Sequence, residues 1–384
     1  MMKRRALVLL ALAVALPVAL VVPIRAARSW QPRTLQMGAN SVAMIGALSW
    51  TGAGLMLNRF NAQGQRTTLS ATNWNGQGVA VRAWGTSAAS SSAEGQSLAA
   101  IVGVGDYSNG ALEVWDVTPP RHRTLVTRNI ARLRPHRAGI IAAPLVALSP
   151  DGARVAWNNL GPDKIVIADA RTGVWQGSFQ LPTHDAKRRP LSQSVQALAW
   201  SPYGRELAVV TADTLILAGD SGQIRRWWRK PNALTTRVAW APDGQTLALA
   251  TGDNTYAKVV QTRPFLWIHD ARTGKVTRVQ TQNTGPNQNN GVSNLAFSPD
   301  GKQLAWGSAK DEVVITNAAT GALERRITVP APPHFCCNNG LKQIALSTLF
   351  SASVYSDAPK IAYAPDGQTL AVASPEKIML WRVR

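Results

Sequence analysis

Two cysteines and five histidines are all that 384 residues offer toward thiol or imidazole chemistry. Cys336 and Cys337 are neighbours, so they cannot build a disulfide framework, and no Cys-x-x-Cys pair exists for zinc. In an oxidising compartment they are candidates for a strained vicinal disulfide, and otherwise they stay free thiols. His122, His136, His184, His269 and His334 are scattered. No Gly-x-Ser-x-Gly elbow, Walker loop, His-Glu-x-x-His pair or calcium loop is present. Charged residues are only 16% of the chain against 45% apolar, which excludes a disordered polymer. Acids are the scarcest charge: 21 Asp and Glu face 41 Lys and Arg, a formal net charge of +20. That balance attracts polyanions such as nucleic acid, anionic lipid or acidic envelope polymers.

Part of the positive charge is clustered. Arg121, Arg123, Arg128, Arg132, Arg134 and Arg137 lie in a stretch with no acid between Asp116 and Asp151. Arg225, Arg226, Arg229 and Lys230 surround Trp227 and Trp228. Both groups are candidate surfaces for a polyanion or a protein partner, against the plainer reading of a solvated basic face.

Long apolar runs are missing except at the start. Lys3, Arg4 and Arg5 precede an uncharged run from Ala6 to Ile24, broken by Pro17 and closed by Arg25 and Arg28. As a helix it would span roughly 28 Å, near the ~30 Å bilayer core. Residues 1–30 are therefore expected to be an N-terminal apolar helix serving as a signal-anchor, with a cleaved signal peptide as the alternative. Residues 31–384 are expected to be one domain.

Self-similarity organises that domain. Val146-Ala147-Leu148-Ser149-Pro150-Asp151-Gly152 is echoed by Leu198-Ala199-Trp200-Ser201-Pro202-Tyr203-Gly204 and Val238-Ala239-Trp240-Ala241-Pro242-Asp243-Gly244. Leu295 to Gly301 and Ile361 to Gly367 repeat it again. After each Gly come Leu or Val and then Ala, as in Leu207-Ala208 and Leu304-Ala305. Pro fixes φ at a turn and Gly supplies a positive φ, so each copy reads as a hairpin between short strands. A further apolar run follows and ends in a second turn: Asp169-Ala170-Arg171-Thr172-Gly173, Asp270-Ala271-Arg272-Thr273-Gly274 and Asn317-Ala318-Ala319-Thr320-Gly321. Gly219-Asp220-Ser221-Gly222 mimics a protease nucleophile motif but occupies this turn slot. A sixth copy is expected to be stretched, from Ala83-Trp84 across a Ser-rich loop to Leu98-Ala99. Ser41 to Leu69 reads as a seventh lacking its first strand.

These residues, with Leu112-Glu113-Val114-Trp115-Asp116 and the degenerate Leu380-Trp381-Arg382 and Ile268-His269-Asp270, resemble the bacterial WD-repeat family. More loosely the chain is similar to TolB-type envelope propellers. The Gly-His dipeptide frequent in the WD family is absent. The resemblance implies an all-β propeller. Hairpin prolines are separated by 52, 40, 57 and 66 residues, and one WD unit needs ~40–45. The excess marks insertions, among them Gln280 to Asn290 and Pro330 to Lys360. Seven blades are expected, with six as the alternative. The last copy ends after its third strand, so an N-terminal strand has to complete it.

A propeller presents loops on two faces, which suits docking. The leading expectation is a non-catalytic, envelope-facing scaffold with no cofactor and no metal. It would bind other proteins, anionic lipid or an acidic envelope polymer. Two alternatives stay open: an enzyme or cofactor-binding propeller with a site at the central channel, and a nucleic-acid binder using the arginine clusters. Lys3 to Arg5 ahead of the apolar run favours a cytoplasmic N-terminus, with residues 1–30 anchored in the cytoplasmic membrane and the propeller outside the cytoplasm. Signal cleavage would instead release it as a secreted or periplasmic protein. Alkaline phosphatase fused after Arg384 should be active, and a fluorescent protein that matures only in the cytoplasm should stay dark at the same place. The reverse pair of results would put the domain inside the cell.

Overall fold

In a computed structural model the described residues are 32–36, 43–51, 54–61, 66–72, 78–84, 88–92, 97–102, 111–117, 120–126, 145–158, 164–230, 235–251, 263–282, 292–308, 312–329, 360–373 and 377–383. All belong to one compact unit spanning 32–384. The expected anchor, residues 1–30, and Cys336 and Cys337 lie outside the described residues. Among the described residues every regular element is a strand, and no helix is long and apolar enough to cross a membrane.

The first strand is β1 (Arg33–Gln36). Next come β2 (Ala43–Thr51), β3 (Gly54–Asn61), β4 (Arg66–Thr72) and β5 (Gly78–Trp84). They are followed by β6 (Ala88–Ser91), β7 (Ser97–Val102), β8 (Ala111–Val117) and β9 (Pro120–Val126). The third group is β10 (Val146–Leu148), β11 (Arg154–Asn158), β12 (Lys164–Asp169) and β13 (Trp175–Gln180). The fourth is β14 (Val195–Trp200), β15 (Glu206–Thr211), β16 (Thr214–Gly219) and β17 (Ile224–Arg229). The fifth is β18 (Thr235–Trp240), β19 (Thr246–Thr251), β20 (Arg263–Asp270) and β21 (Val276–Gln282). The sixth is β22 (Val292–Phe297), β23 (Gln303–Ser308), β24 (Glu312–Asn317) and β25 (Leu323–Thr328). The chain ends with β26 (Lys360–Tyr363), β27 (Thr369–Ala373) and β28 (Lys377–Arg382).

Among the described residues each group is one four-stranded antiparallel sheet, seven in all, and β1 completes the last in the order β1-β28-β27-β26. First strands neighbour one another in the order β2, β6, β10, β14, β18, β22, β26, and β26 returns to β2. This is a propeller-like arrangement, with first strands inside and fourth strands at the rim. Burial follows it. β16 is buried at every residue, while β25 is exposed at all but Ile327. A middle strand has a sheet on each side, so it reads as a continuous apolar run such as Leu215-Ile216-Leu217 and not as an alternation. Each of those side chains contributes about 1.5–3 kcal/mol by its burial.

Two of the expected repeats shift. The copy at 41–69 does not lack its first strand: β2 supplies it and the sheet is complete through β5. Ala83 and Trp84 end that sheet as part of β5 and do not open the next one. The Ser-rich stretch is itself the inner strand β6, where the Ser90 hydroxyl accepts from the Leu148 amide at 3.0 Å. Hydroxyls stand where other copies carry the apolar-Ala-large signature, which hid the strand.

Neighbouring sheets are joined by a repeated hydrogen bond. Trp200 Nε1 donates to the Ala147 carbonyl and Trp240 Nε1 to the Ala199 carbonyl, both at 3.1 Å. Trp50 Nε1 donates to the Ala362 carbonyl at 3.0 Å, across the junction between the first and last sheets. The large residue of one repeat thus reaches the small Ala of the preceding repeat. The closing junction has a second tie: β1 pairs with β28 from Arg33↔Leu380 to Gln36↔Lys377. Trp50→Phe should cost about 1–3 kcal/mol in urea unfolding, since it strands a carbonyl and removes one donor. Trp200→Phe should cost a similar amount. An unchanged midpoint for Trp50→Phe would mean that the closing junction does not depend on this bond.

Candidate partner-binding face

In an antiparallel sheet, alternate connections emerge at opposite ends of the strands. The Pro-Asp-Gly hairpins join first to second strands and the Thr-Gly turns join third to fourth, so both lie on one face. Connections from second to third strand, and crossovers from one sheet to the next, lie on the other.

Among the described residues the turns of the hairpin face are short and internally satisfied. Asp151 accepts from the Ser149 hydroxyl at 2.5 Å and the Ala153 amide at 3.0 Å, and Asp243 accepts from the Gln245 and Thr246 amides. The hydrogen bond from Ser149 and the Ala153 amide hold the Asp151 carboxyl below its usual range despite partial burial. In the other turn, Asp270 accepts from the Thr273 amide and hydroxyl, which lowers its pKa too. These aspartates are turn residues, as their periodicity requires. Gly219 to Gly222 is such a turn as well, closed by the Gly222 amide on the Gly219 carbonyl at 3.0 Å. Gly274 shows why this slot takes glycine. Its φ is +69°, and a Cβ there would sit 2.2 Å from Trp228 Cδ2 of the preceding sheet.

The crossover face carries the longer connections. Residues 127–144 join β9 to β10, 283–291 join β21 to β22, and 330–359 join β25 to β26, all outside the described residues. The crossover from β13 to β14, residues 181–194, is described throughout. Two carboxylates hold it. Asp185 accepts from the Lys187 and Arg189 amides, both at 2.9 Å, and from the Arg189 and Arg229 guanidinium groups at 2.7 Å. Burial pushes its carboxyl up, but these donors outweigh burial and hold it well below the usual range. Asp213, in the connection from β15 to β16, accepts from the Ser192 amide at 3.0 Å and the Thr211 hydroxyl at 3.2 Å. Arg229 lies between the two carboxylates, 3.8 Å from Asp213 Oδ2.

This geometry separates the basic cluster of the fourth sheet. Arg225 and Arg226 both reach Glu206, Arg225 at 3.4 Å. Arg229 bridges Asp185 and Asp213. Lys230 is only 7% exposed and donates from Nζ to the Ala212 carbonyl at 2.6 Å. Trp227 and Trp228 pack into the spaces on either side of the sheet. The structure therefore does not gather these four cations into one open patch. Of the other cluster, Arg121 and Arg123 lie on β9, opposite Asp116 and Val114. Arg128, Arg132, Arg134 and Arg137 lie outside the described residues. Asp185 and Asp213 were not singled out by sequence reasoning. The available signal was Lys187-Arg188-Arg189 placed between an Asp and a Pro.

Lys230, Leu249, Trp267 and His269 line a small pocket between the fourth and fifth sheets. Burial lowers Lys230 to about 8, against the pull of Asp213. Burial also lowers His269; its contact with the Gly274 carbonyl opposes this and the Lys230 charge adds to it. Among the described residues no three His, Cys, Asp or Glu side chains gather as a metal site requires.

No family profile matches the chain, and no curated protein matches it. Among solved structures it is similar to a chain of the crystal structure of the mitotic checkpoint complex, with a TM-score of 0.60 and 18% identity. The match covers 98% of this chain and 100% of that one. The likeness supports a WD-repeat-like propeller fold.

The Lys230 site has a pH signature. Unfolded lysine keeps its proton to about 10.4, so between pH 8 and that value the unfolded chain binds more protons than the folded one. Parent stability gains from this group as pH rises through that window. Lys230→Met lacks the gain, so its stability relative to the parent should be highest below pH 8 and fall toward pH 10.4. Denaturant titrations at pH 7, 9 and 10 measure this, and parallel behaviour of the two proteins would contradict the burial of a charged lysine here.

Proposed function

We propose that this chain is a non-catalytic scaffold that holds protein partners on its crossover face. Each four-stranded sheet is one blade, giving seven. Residues 1–30 anchor it in the cytoplasmic membrane, with the propeller outside the cytoplasm and facing the envelope. The observation that carries the reading is the asymmetry of the two faces. Hairpin-face turns spend their polar groups on one another. The crossover face bears long connections, and 181–194 is built rigidly upon it by Asp185 and Asp213. Rigid elements that carry variable loops are where binding residues concentrate. The structural neighbour comes from a protein complex, which agrees with a role in holding proteins.

The reading is tested by cross-linking the full chain in its native membranes, purifying it and identifying what is attached by mass spectrometry. A small, reproducible set of proteins is expected, with cross-links on crossovers such as 181–194. Cross-links confined to the hairpin face, or no protein above background, would overturn it.

A further inference from the structure

We propose that the turn 184–189 is a docking finger for an acidic protein segment, with Lys187 and Arg188 as its contact residues. The proposal rests on the partner-binding reading above and names its surface and the chemistry of the partner.

The turn is preformed. The Asp185 amide donates to the Arg189 carbonyl at 3.0 Å and the Arg188 amide to the Asp185 carbonyl at 2.9 Å. A bridge between His184 and Pro190 closes its base. Asp185 is consumed inside, so its charge does not cancel the tip. Lys187 and Arg188 are exposed, and neither is ion-paired among the described residues.

Backbone conformation supplies an independent argument. Positive φ occurs at nine glycines among the described residues, and at one residue with a side chain, Arg188, at 56°. A Cβ is disfavoured there, and glycine is the ordinary occupant. Among the described residues every other positive-φ position is a glycine, so Arg188 stands against the local preference. Such departures cluster at binding sites.

The chemistry favours carboxylates on protein. A planar guanidinium pairs with a carboxylate through two parallel hydrogen bonds, and the neighbouring ammonium adds a point charge. Residues 181–194 contain no Trp, Tyr or Phe, so the stacking platform that single-stranded nucleic acid uses is missing from the finger.

The test uses the full chain in detergent, a fluorescein-labelled peptide of twelve glutamates, and a labelled twelve-residue oligothymidylate. Fluorescence anisotropy reads affinity and thermal unfolding reads stability. For Lys187→Ser with Arg188→Gly, peptide affinity is expected to fall about tenfold, as loss of two exposed charge contacts allows. Arg188→Gly alone should keep or raise the unfolding midpoint while weakening the peptide. That combination excludes misfolding as the cause. Undiminished peptide affinity in the double variant would overturn the finger. So would tighter binding of the oligonucleotide, lost in the same variant. A parent that captures partners which the double variant also retains would leave the scaffold reading standing and sink the finger alone.

Discussion

A β-sheet with two apolar faces has to be covered on both sides. Leu215, Ile216 and Leu217 are adjacent in β16 and all fully buried, so the fourth sheet needs a neighbour on each face. Every sheet of this kind passes the same demand to the next. A row of them would leave two bare ends; only a row that returns on itself has none. Ring closure is therefore what the other contacts depend on. It is provided by β1 on β28 and by Trp50 on the Ala362 carbonyl. The chain closes with a strand from its start beside strands from its end, so opening the ring requires breaking that pairing.

Closure also sets where variation is tolerated. Toward the centre, first strands converge and their alanines let the next sheet's tryptophan reach a backbone carbonyl. On the hairpin face the turns lie close to the preceding sheet, closely enough that Gly274 cannot carry a side chain without meeting Trp228. The crossover face is freer. It accommodates a fourteen-residue connection held by two carboxylates, Asp185 and Asp213, with Arg229 between them and Arg189 on Asp185, and by Leu181 packed into the core beside it.

Charge is distributed by the same logic. The chain's excess of 20 positive charges suggests a broad basic surface. In the fourth sheet that charge is paired or buried: Glu206 takes two half-exposed arginines, Arg229 spans two aspartates and Lys230 is buried. Asp185 is the informative acid. It neutralises Arg189 and Arg229 at the root of a turn whose tip keeps Lys187 and Arg188 outward.

The recurring Pro-Asp-Gly and Thr-Gly turns were legible because a turn is local. A fixed φ, a positive φ and an Asp bonding the next amides need no distant partner. The incomplete last repeat likewise announced the need for a strand from elsewhere, since three strands leave an unpaired edge. By itself, then, the sequence determined the all-β class, the repeat, and the structural role of Asp151, Asp243 and Gly222. It did not reveal β6, whose serines carry no repeat signature and are placed by the Leu148 amide of the next sheet. Nor did it reveal which cations face outward. Arg226 and Arg188 look alike in a list of residues. One meets Glu206 from twenty residues away, and the other stands on a left-handed turn held by Asp185. Only tertiary structure decides that difference, because an ion pair depends on distance in space and the fold alone brings those partners together.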